Sequence, residues 1–156
     1  MLKHLLFLSF AAVLLASCKK DRVPVPNPNY YITAKINGVP TGFSTVVGAA
    51  RGGDRSPNAI TVSGKGGDFS QAFPTFTLML NDHVSLAVKT YTSGTDPVNA
   101  GYAFIDMPAY NGDPGFVVTI SSITATEIKG SFSGKLRNPA GDIIDVSEGL
   151  FSAKIQ

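Results

Sequence analysis

His83 is the side chain best suited to acid–base chemistry near neutral pH, and it directly follows Asp82. A Ser-His-Asp system needs an acid that orients the histidine and a nucleophile on its other side. Neighbouring side chains in a strand or turn point apart, so Asp82 is poorly placed to orient His83. No Gly-x-Ser-x-Gly segment marks a nucleophile, because residues 42–46 read Gly-Phe-Ser-Thr-Val. We therefore interpret His83 as a surface residue in a turn.

Carboxylates offer two other kinds of chemistry. The two glutamates, Glu127 and Glu148, do not have a spacing that predicts the facing pair of a glycosidase. One histidine besides His4 and a single cysteine cannot supply a zinc site. Calcium needs only oxygen ligands, and five aspartates lie in or beside loops: Asp54, Asp68, Asp96, Asp106 and Asp113. Turns favour aspartate for backbone reasons alone, and no Asp-x-Asp-x-Asp run occurs, so we assign no metal ligands and leave a calcium site as an alternative. Because no catalytic constellation is found, we predict no cofactor and no enzymatic activity.

Tyrosines are the remaining candidates for binding. Each has a flat apolar face and a polar tip, which suits a sugar ring or a protein partner. We single out Tyr91, Tyr102 and Tyr110, the last two because they flank an irregular stretch at residues 106–109. The alternative is that these rings only pack at the edges of a sheet.

Cys18 is the only cysteine, and the residues before it have the order of a secretory signal peptide. Lys3 gives a basic start, residues 5–15 are apolar apart from Ser9, and residues 16 and 17 are small. Residues 5–17 span about 20 Å as a helix, which is too short for about 30 Å of bilayer hydrocarbon. We predict a signal peptide over residues 1–17.

The segment Leu15-Ala16-Ser17-Cys18 resembles the lipobox of bacterial lipoproteins. The resemblance implies that the thiol of Cys18 is diacylated, that the chain is cut before it, and that the new amino group is acylated. Lys19 rather than aspartate follows Cys18, which implies an outer-membrane address. The run Lys19-Lys20-Asp21 looks like a surface-export signal of one Gram-negative phylum, so the protein is expected at the outer membrane, facing either the periplasm or the outside. More than one acyl chain makes such anchoring stable.

The rest of the chain has the composition of one domain on a tether. The 156 residues are 44% hydrophobic and 15% charged, and the net charge of +2 gives no case for nucleic-acid binding. Prolines at 24, 26 and 28 predict an extended spacer over residues 21–29, with about 25–30 Å of reach. Cys18 and this spacer together make a tether over residues 18–29. We expect one folded domain over residues 30–156.

Apolar residues in that domain recur with period two, which predicts strands. Residues 127–137 are the clearest case, since every odd position is polar and every even one is apolar or glycine. The glycine-rich stretches 48–53 and 64–67 are interpreted as loops or bulges. We predict eight to ten short strands in one antiparallel β-sandwich or small barrel, with strand segments at 30–36, 58–63, 75–81, 84–88, 102–105, 115–121, 127–137, 143–146 and 150–155.

Two stretches of the domain carry a further resemblance. The opening Ala34-Lys35-Ile36-Asn37-Gly38-Val39-Pro40 and the closing Gly130-Ser131-Phe132…Gly141…Gly149-Leu150-Phe151 look like hairpins of small, all-β, Gram-negative lipoproteins without assigned activity. Phe43 stands where members of that family often carry a tryptophan. The resemblance implies a fold and an address, and no activity.

These observations predict an outer-membrane lipoprotein with a non-enzymatic β domain. It binds a ligand, a protein or a glycan, or it has a structural role in the envelope, and its membrane contact is through acyl chains on Cys18. The alternative is a carrier of a small apolar ligand, in which Gly130 and Gly134 leave room inside a barrel. The same glycines also fit bends where sheets pack closely.

Overall fold

A computed structural model describes residues 29–53, 58–66, 74–82, 84–103 and 108–156. The predicted signal peptide, Cys18, most of the tether, and His83 lie outside these residues, as do Asp54, Asp68 and Asp106. Among the described residues there are eleven strands and no helix, and hence no helix that could cross a membrane. The strands are β1 (Tyr31–Ile36), β2 (Val39–Gly42), β3 (Val46–Arg51), β4 (Ile60–Lys65), β5 (Thr75–Leu80), β6 (Thr90–Thr92), β7 (Val98–Ala103), β8 (Tyr110–Gly112), β9 (Val117–Ile123), β10 (Glu127–Arg137) and β11 (Ile143–Lys154).

The strands form one strongly curled antiparallel sheet, a half-barrel, which confirms the predicted all-β class. Its order is β2-β1-β11-β10-β8-β7-β5-β4-β3, and β9 pairs with β10 and with β6 beside this path. The curl brings β3 back to the end of β11, where Ala49 bridges Ile155 and the amide of Gln156 donates to the Ala49 carbonyl at 2.9 Å. The sheet therefore closes on itself at one end.

The sequence pattern of β10 agrees closely with its structure. β10 covers the predicted residues 127–137, and its even positions Ile128, Phe132 and Leu136 are buried. The turn between β1 and β2 has Asn37 at φ 49° and Gly38 at φ 81°, which is the left-handed pair that a tight hairpin needs. Asp145 on β11 holds this turn, since its amide donates to the Asn37 side chain at 2.8 Å.

Aromatic rings fill the concave side of the sheet. Phe76 stacks on Phe132 at 4.8 Å between ring centroids, and Phe43 lies 5.3 Å from Phe76. Phe151 and Phe116 each lie within 6.4 Å of Phe132. Phe43 is fully buried.

The inward-facing glycines lie against these rings. A methyl group on Gly130 would come within 2.8 Å of the Phe151 ring, and one on Gly134 would come within 2.9 Å of Phe116. The space beside both glycines is therefore occupied by protein. This arrangement matches close packing at a bend rather than room for a carried ligand.

Three local predictions were wrong. Residues 84–88 form no strand, because their backbone pairs with no neighbour and the segment instead crosses one end of the sheet between β5 and β6. The predicted glycine-rich loops are wrong in part, because Gly48 lies within β3 and Gly64 within β4, where Gly64 is buried against the Phe43 backbone. Gly52, Gly53 and Gly66 do lie outside the strands. Residues 143–146 and 150–155 belong mostly to one strand, β11, which a bulge interrupts.

Candidate functional site

The irregular point of β11 is at Ser147 and Glu148. On one side Phe132 pairs with Gly149 while Gly134 pairs with Val146, so two residues of β11 oppose Ser133. Glu148 adopts φ 51°, a left-handed conformation that L residues other than Asn and Asp seldom take. Such a bulge usually has glycine at this position. The glutamate is thus held in a backbone conformation that its own type does not favour.

The Glu148 side chain is directed to solvent. It is 68% exposed, and its carboxylate accepts a hydrogen bond from the Lys35 ammonium on β1 at 2.6 Å. Ion pairs this exposed contribute about 0–1 kcal/mol to stability. The free energy that this ion pair contributes is therefore no larger than the cost of the left-handed backbone conformation.

Two grooves meet at Glu148 on the convex face of the sheet, and we call them the Glu148 groove pair. The first has a volume of about 350 Å³ between β1 and β2, with Lys35, Pro40 and Thr41 in its walls. The second has a volume of about 300 Å³ over β9, β10 and β11. Its walls include Thr119, Ser131, Ser133, Leu150 and Val117.

A row of hydroxyl groups crosses the same face. Thr33 pairs with Leu150, Leu150 with Ser131, and Ser131 with Thr119. Thr119 and Thr90 then share a hydroxyl hydrogen bond of 2.9 Å. Directly opposed residues in an antiparallel sheet project to one side, so this row forms a shallow polar surface with Leu150, 49% exposed, at its centre.

The three predicted tyrosines lie elsewhere, and only two of them lie together. Tyr102 on β7 and Tyr110 on β8 are paired in register, with ring centroids 6.4 Å apart. Tyr102 is buried against Phe43 and Phe76, and this burial raises the pKa of its phenol, with a smaller contribution from Tyr110. Tyr110 is half-buried.

Tyr91 is fully buried on β6, away from this pair. Its hydroxyl accepts a hydrogen bond from the Ala87 amide at 2.9 Å and donates to the Asp82 carboxylate at 3.3 Å. Burial raises the pKa of the Tyr91 phenol. Lys89 lies 4.4 Å from the ring centroid and pairs with Asp82 at 3.0 Å. The hydrogen bond from Lys89 is the main cause that lowers the pKa of Asp82. Tyr91 and Tyr102 are thus packed rings, and neither presents an open face to solvent.

The carboxylates considered for chemistry are dispersed. Glu127 pairs in register with Lys154, six residues and about 20 Å along β11 from Glu148, so the two glutamates do not face each other. Asp113 makes two hydrogen bonds to the Arg137 guanidinium, at 3.0 and 2.9 Å. Asp96 accepts a hydrogen bond from the Thr92 amide. No group of three potential metal ligands occurs in the described part of the chain.

The sequence interpretation did not identify the Glu148 groove pair, although one signal for it was present. Buried residues of β11 fall on even numbers at Ile144 and Val146 and on odd numbers at Phe151 and Ala153. A shift of phase within one strand marks a bulge between the two halves. Comparisons of the chain with protein families, with curated proteins and with solved structures found no match.

Proposed function

We propose that the protein is an outer-membrane lipoprotein, anchored through Cys18, whose β domain binds a glycan at the Glu148 groove pair without catalysing a reaction. Glu148 is the observation that carries the binding part of the proposal. A residue that combines an unfavourable backbone conformation with an exposed side chain at a junction of grooves is typical of a functional position. The leader residues that resemble a lipobox support the anchoring part.

The chemistry of the groove pair favours a ligand rich in hydroxyl groups. The Glu148 carboxylate accepts hydrogen bonds only, the Lys35 ammonium donates only, and the hydroxyls of Thr119, Ser131 and Ser133 do both. A sugar carries donors and acceptors on every ring, so it matches this mixture. The exposed side of Leu150 offers an apolar surface for the C–H face of a ring.

The shape of the surface supports a polymer rather than a small enclosed molecule. Both grooves are open and join at Glu148, so a chain of two or more sugar units can run from β2 across β11 to β9. Pro40 lies in the first groove on edge strand β2 and removes a backbone donor there. This weakens the case for a peptide that would add a strand at that edge.

Binding to a glycan array, followed by calorimetric titration of the best glycan, tests the proposal. Glu148→Gln and Lys35→Met keep the size of each side chain and remove its charge. Hydrogen bonds to charged groups contribute about 1.5–3 kcal/mol, so we expect Glu148→Gln to weaken binding by about tenfold or more.

A matched control pair bridges β11 and its other neighbour, β10. Lys135 and Asp145 form an exposed pair at 3.9 Å, and neither lines the groove pair. Lys135→Met and Asp145→Asn should therefore leave affinity within about twofold of the unaltered protein. An array with no bound glycan, or equal affinity for Glu148→Gln and the unaltered protein, would refute binding at this site.

A further inference from the structure

The first described residue enters at one end of the sheet. The Asn29 carbonyl accepts a hydrogen bond from the Ser152 hydroxyl at 2.8 Å, and β1 then runs away from this end. The turn joining β9 to β10, residues 124–126, lies at the same end, as do Lys154 and the last residue of β3, Arg51. We call this the chain-entry end.

Residues 84–89 cross this same end. Ser85 and Leu86 line a groove of about 190 Å³ together with Ile123, Thr124 and Arg51, which places the segment beside the turn between β9 and β10. Two large apolar side chains in it face solvent, because Val84 is 80% and Val88 is 62% exposed. Leu86, between them, packs against the core, and Tyr91 holds the segment through its hydrogen bond with the Ala87 amide.

Four cations lie at the same end of the sheet as these valines. Lys89 and Lys129 are paired with Asp82 and Glu127 at 3.0 Å each. Arg51 and Lys154 are exposed and form no ion pair within the described part of the chain. The chain-entry end thus presents exposed apolar side chains together with two cations, Arg51 and Lys154, that no ion pair among the described residues neutralises.

We propose that the chain-entry end docks on an anionic lipid surface, with Val84 and Val88 inserted among the headgroups. This inference rests on the proposed anchoring through Cys18. Ten residues separate Cys18 from Asn29, and a spacer of this composition reaches about 25–30 Å. The acyl chains would therefore keep this end, rather than the opposite one, within reach of the bilayer.

The tether also lowers the affinity that docking requires. A short linker holds the domain at a millimolar effective concentration near the membrane, so a weak interface is enough. Val84 and Val88 supply apolar surface, and each cation near an anionic surface strengthens the contact by about fivefold. Lys19, Lys20 and Arg22 in the tether add positive charge close to the anchor.

The experiment uses the acylated protein in vesicles made of two parts phosphatidylcholine and one part phosphatidylglycerol. The vesicles also contain brominated lipid, which quenches tryptophan fluorescence. The chain has no tryptophan, so one reporter can be placed at a time. Val84→Trp and Val88→Trp report on the chain-entry end. Val39→Trp is the matched control, because Val39 is 63% exposed and lies beside the turn at the opposite end.

We expect brominated lipid to quench the reporters at 84 and 88 at least threefold more strongly than the reporter at 39. Arg51→Gln and Lys154→Gln should each lower the docked-to-undocked ratio by about fivefold, and phosphatidylcholine vesicles alone should weaken docking further. Equal quenching at 39, 84 and 88 in protein that sediments with the vesicles would overturn docking and leave the anchor intact. Protein that carries no acyl chain and stays in the supernatant would overturn anchoring and docking together.

Discussion

Replacing Glu148 tests whether its backbone is strained. A left-handed conformation costs an L residue about 1–2 kcal/mol, and glycine escapes this cost. Glycine in turn gives the unfolded chain more freedom, which lowers the free energy of unfolding by about 0.4–1 kcal/mol relative to alanine. Both Glu148→Ala and Glu148→Gly remove the ion pair with Lys35, so that contribution cancels between them.

We expect Glu148→Gly to be more stable than Glu148→Ala by about 1 kcal/mol, or about 3–5 °C in Tm for a domain of this size. Urea denaturation of both variants under identical conditions measures the difference. Asp145 is the matched control, because it is also exposed and paired on β11 but its φ is not positive. There the order should reverse, with Asp145→Gly less stable than Asp145→Ala by about 0.5–1 kcal/mol. A Glu148→Ala variant as stable as Glu148→Gly would refute the strain on which the choice of site depends.

Three further predictions concern packing and titration. Gly130→Ala should lower the free energy of unfolding by about 1–3 kcal/mol, because the new methyl group meets the Thr119 carbonyl oxygen and the Phe151 ring. Gly42→Ala, with no atom within 4 Å, should change it by less than about 0.5 kcal/mol; urea denaturation compares the two variants, and equal effects would contradict the packing. The pKa of Asp82 is lowered, so the contribution of its carboxylate to stability is present above the ordinary value of 3.8 and is lost as pH falls through the folded value. Acid denaturation of Asp82→Asn should therefore lack that part of the loss of stability, and a pH profile equal to that of the unaltered protein would refute the assignment. The pKa of Tyr91 is raised above 10.0, so the contribution of its phenol to stability is lost as pH rises through the folded value. In alkaline denaturation, Tyr91→Phe should therefore lose less stability than the unaltered protein, and a steeper loss in the variant would contradict the assignment.

Much of the fold could be predicted because period-two patterns are local. β10 shows this best, since its alternation defined the strand, its buried side and its bounds. Residues 84–88 show the limit: Val84, Leu86 and Val88 alternate as a strand would, yet only Leu86 packs against the core. Alternation predicts a strand only where a neighbouring strand offers a free edge, and that depends on the whole topology.

The candidate site was harder to predict for a similar reason. Tyr91 and Tyr102 are suited to binding by type, but the curl of the sheet turns both into the core. Glu148 and Lys35 are 113 positions apart in sequence, and the pairing of β1 with β11 brings them together. The phase shift along β11 indicates the bulge, whereas the grooves on either side of it follow from the three-dimensional arrangement of five strands.

The intact mass of the protein extracted from the membranes of its native host tests most directly whether it is a lipoprotein anchored through Cys18. The account predicts a chain of residues 18–156 that carries two or three acyl chains at Cys18 and partitions into detergent. A soluble chain of unmodified mass, or a membrane-bound chain that retains residues 1–17 and has no acyl group, would contradict it.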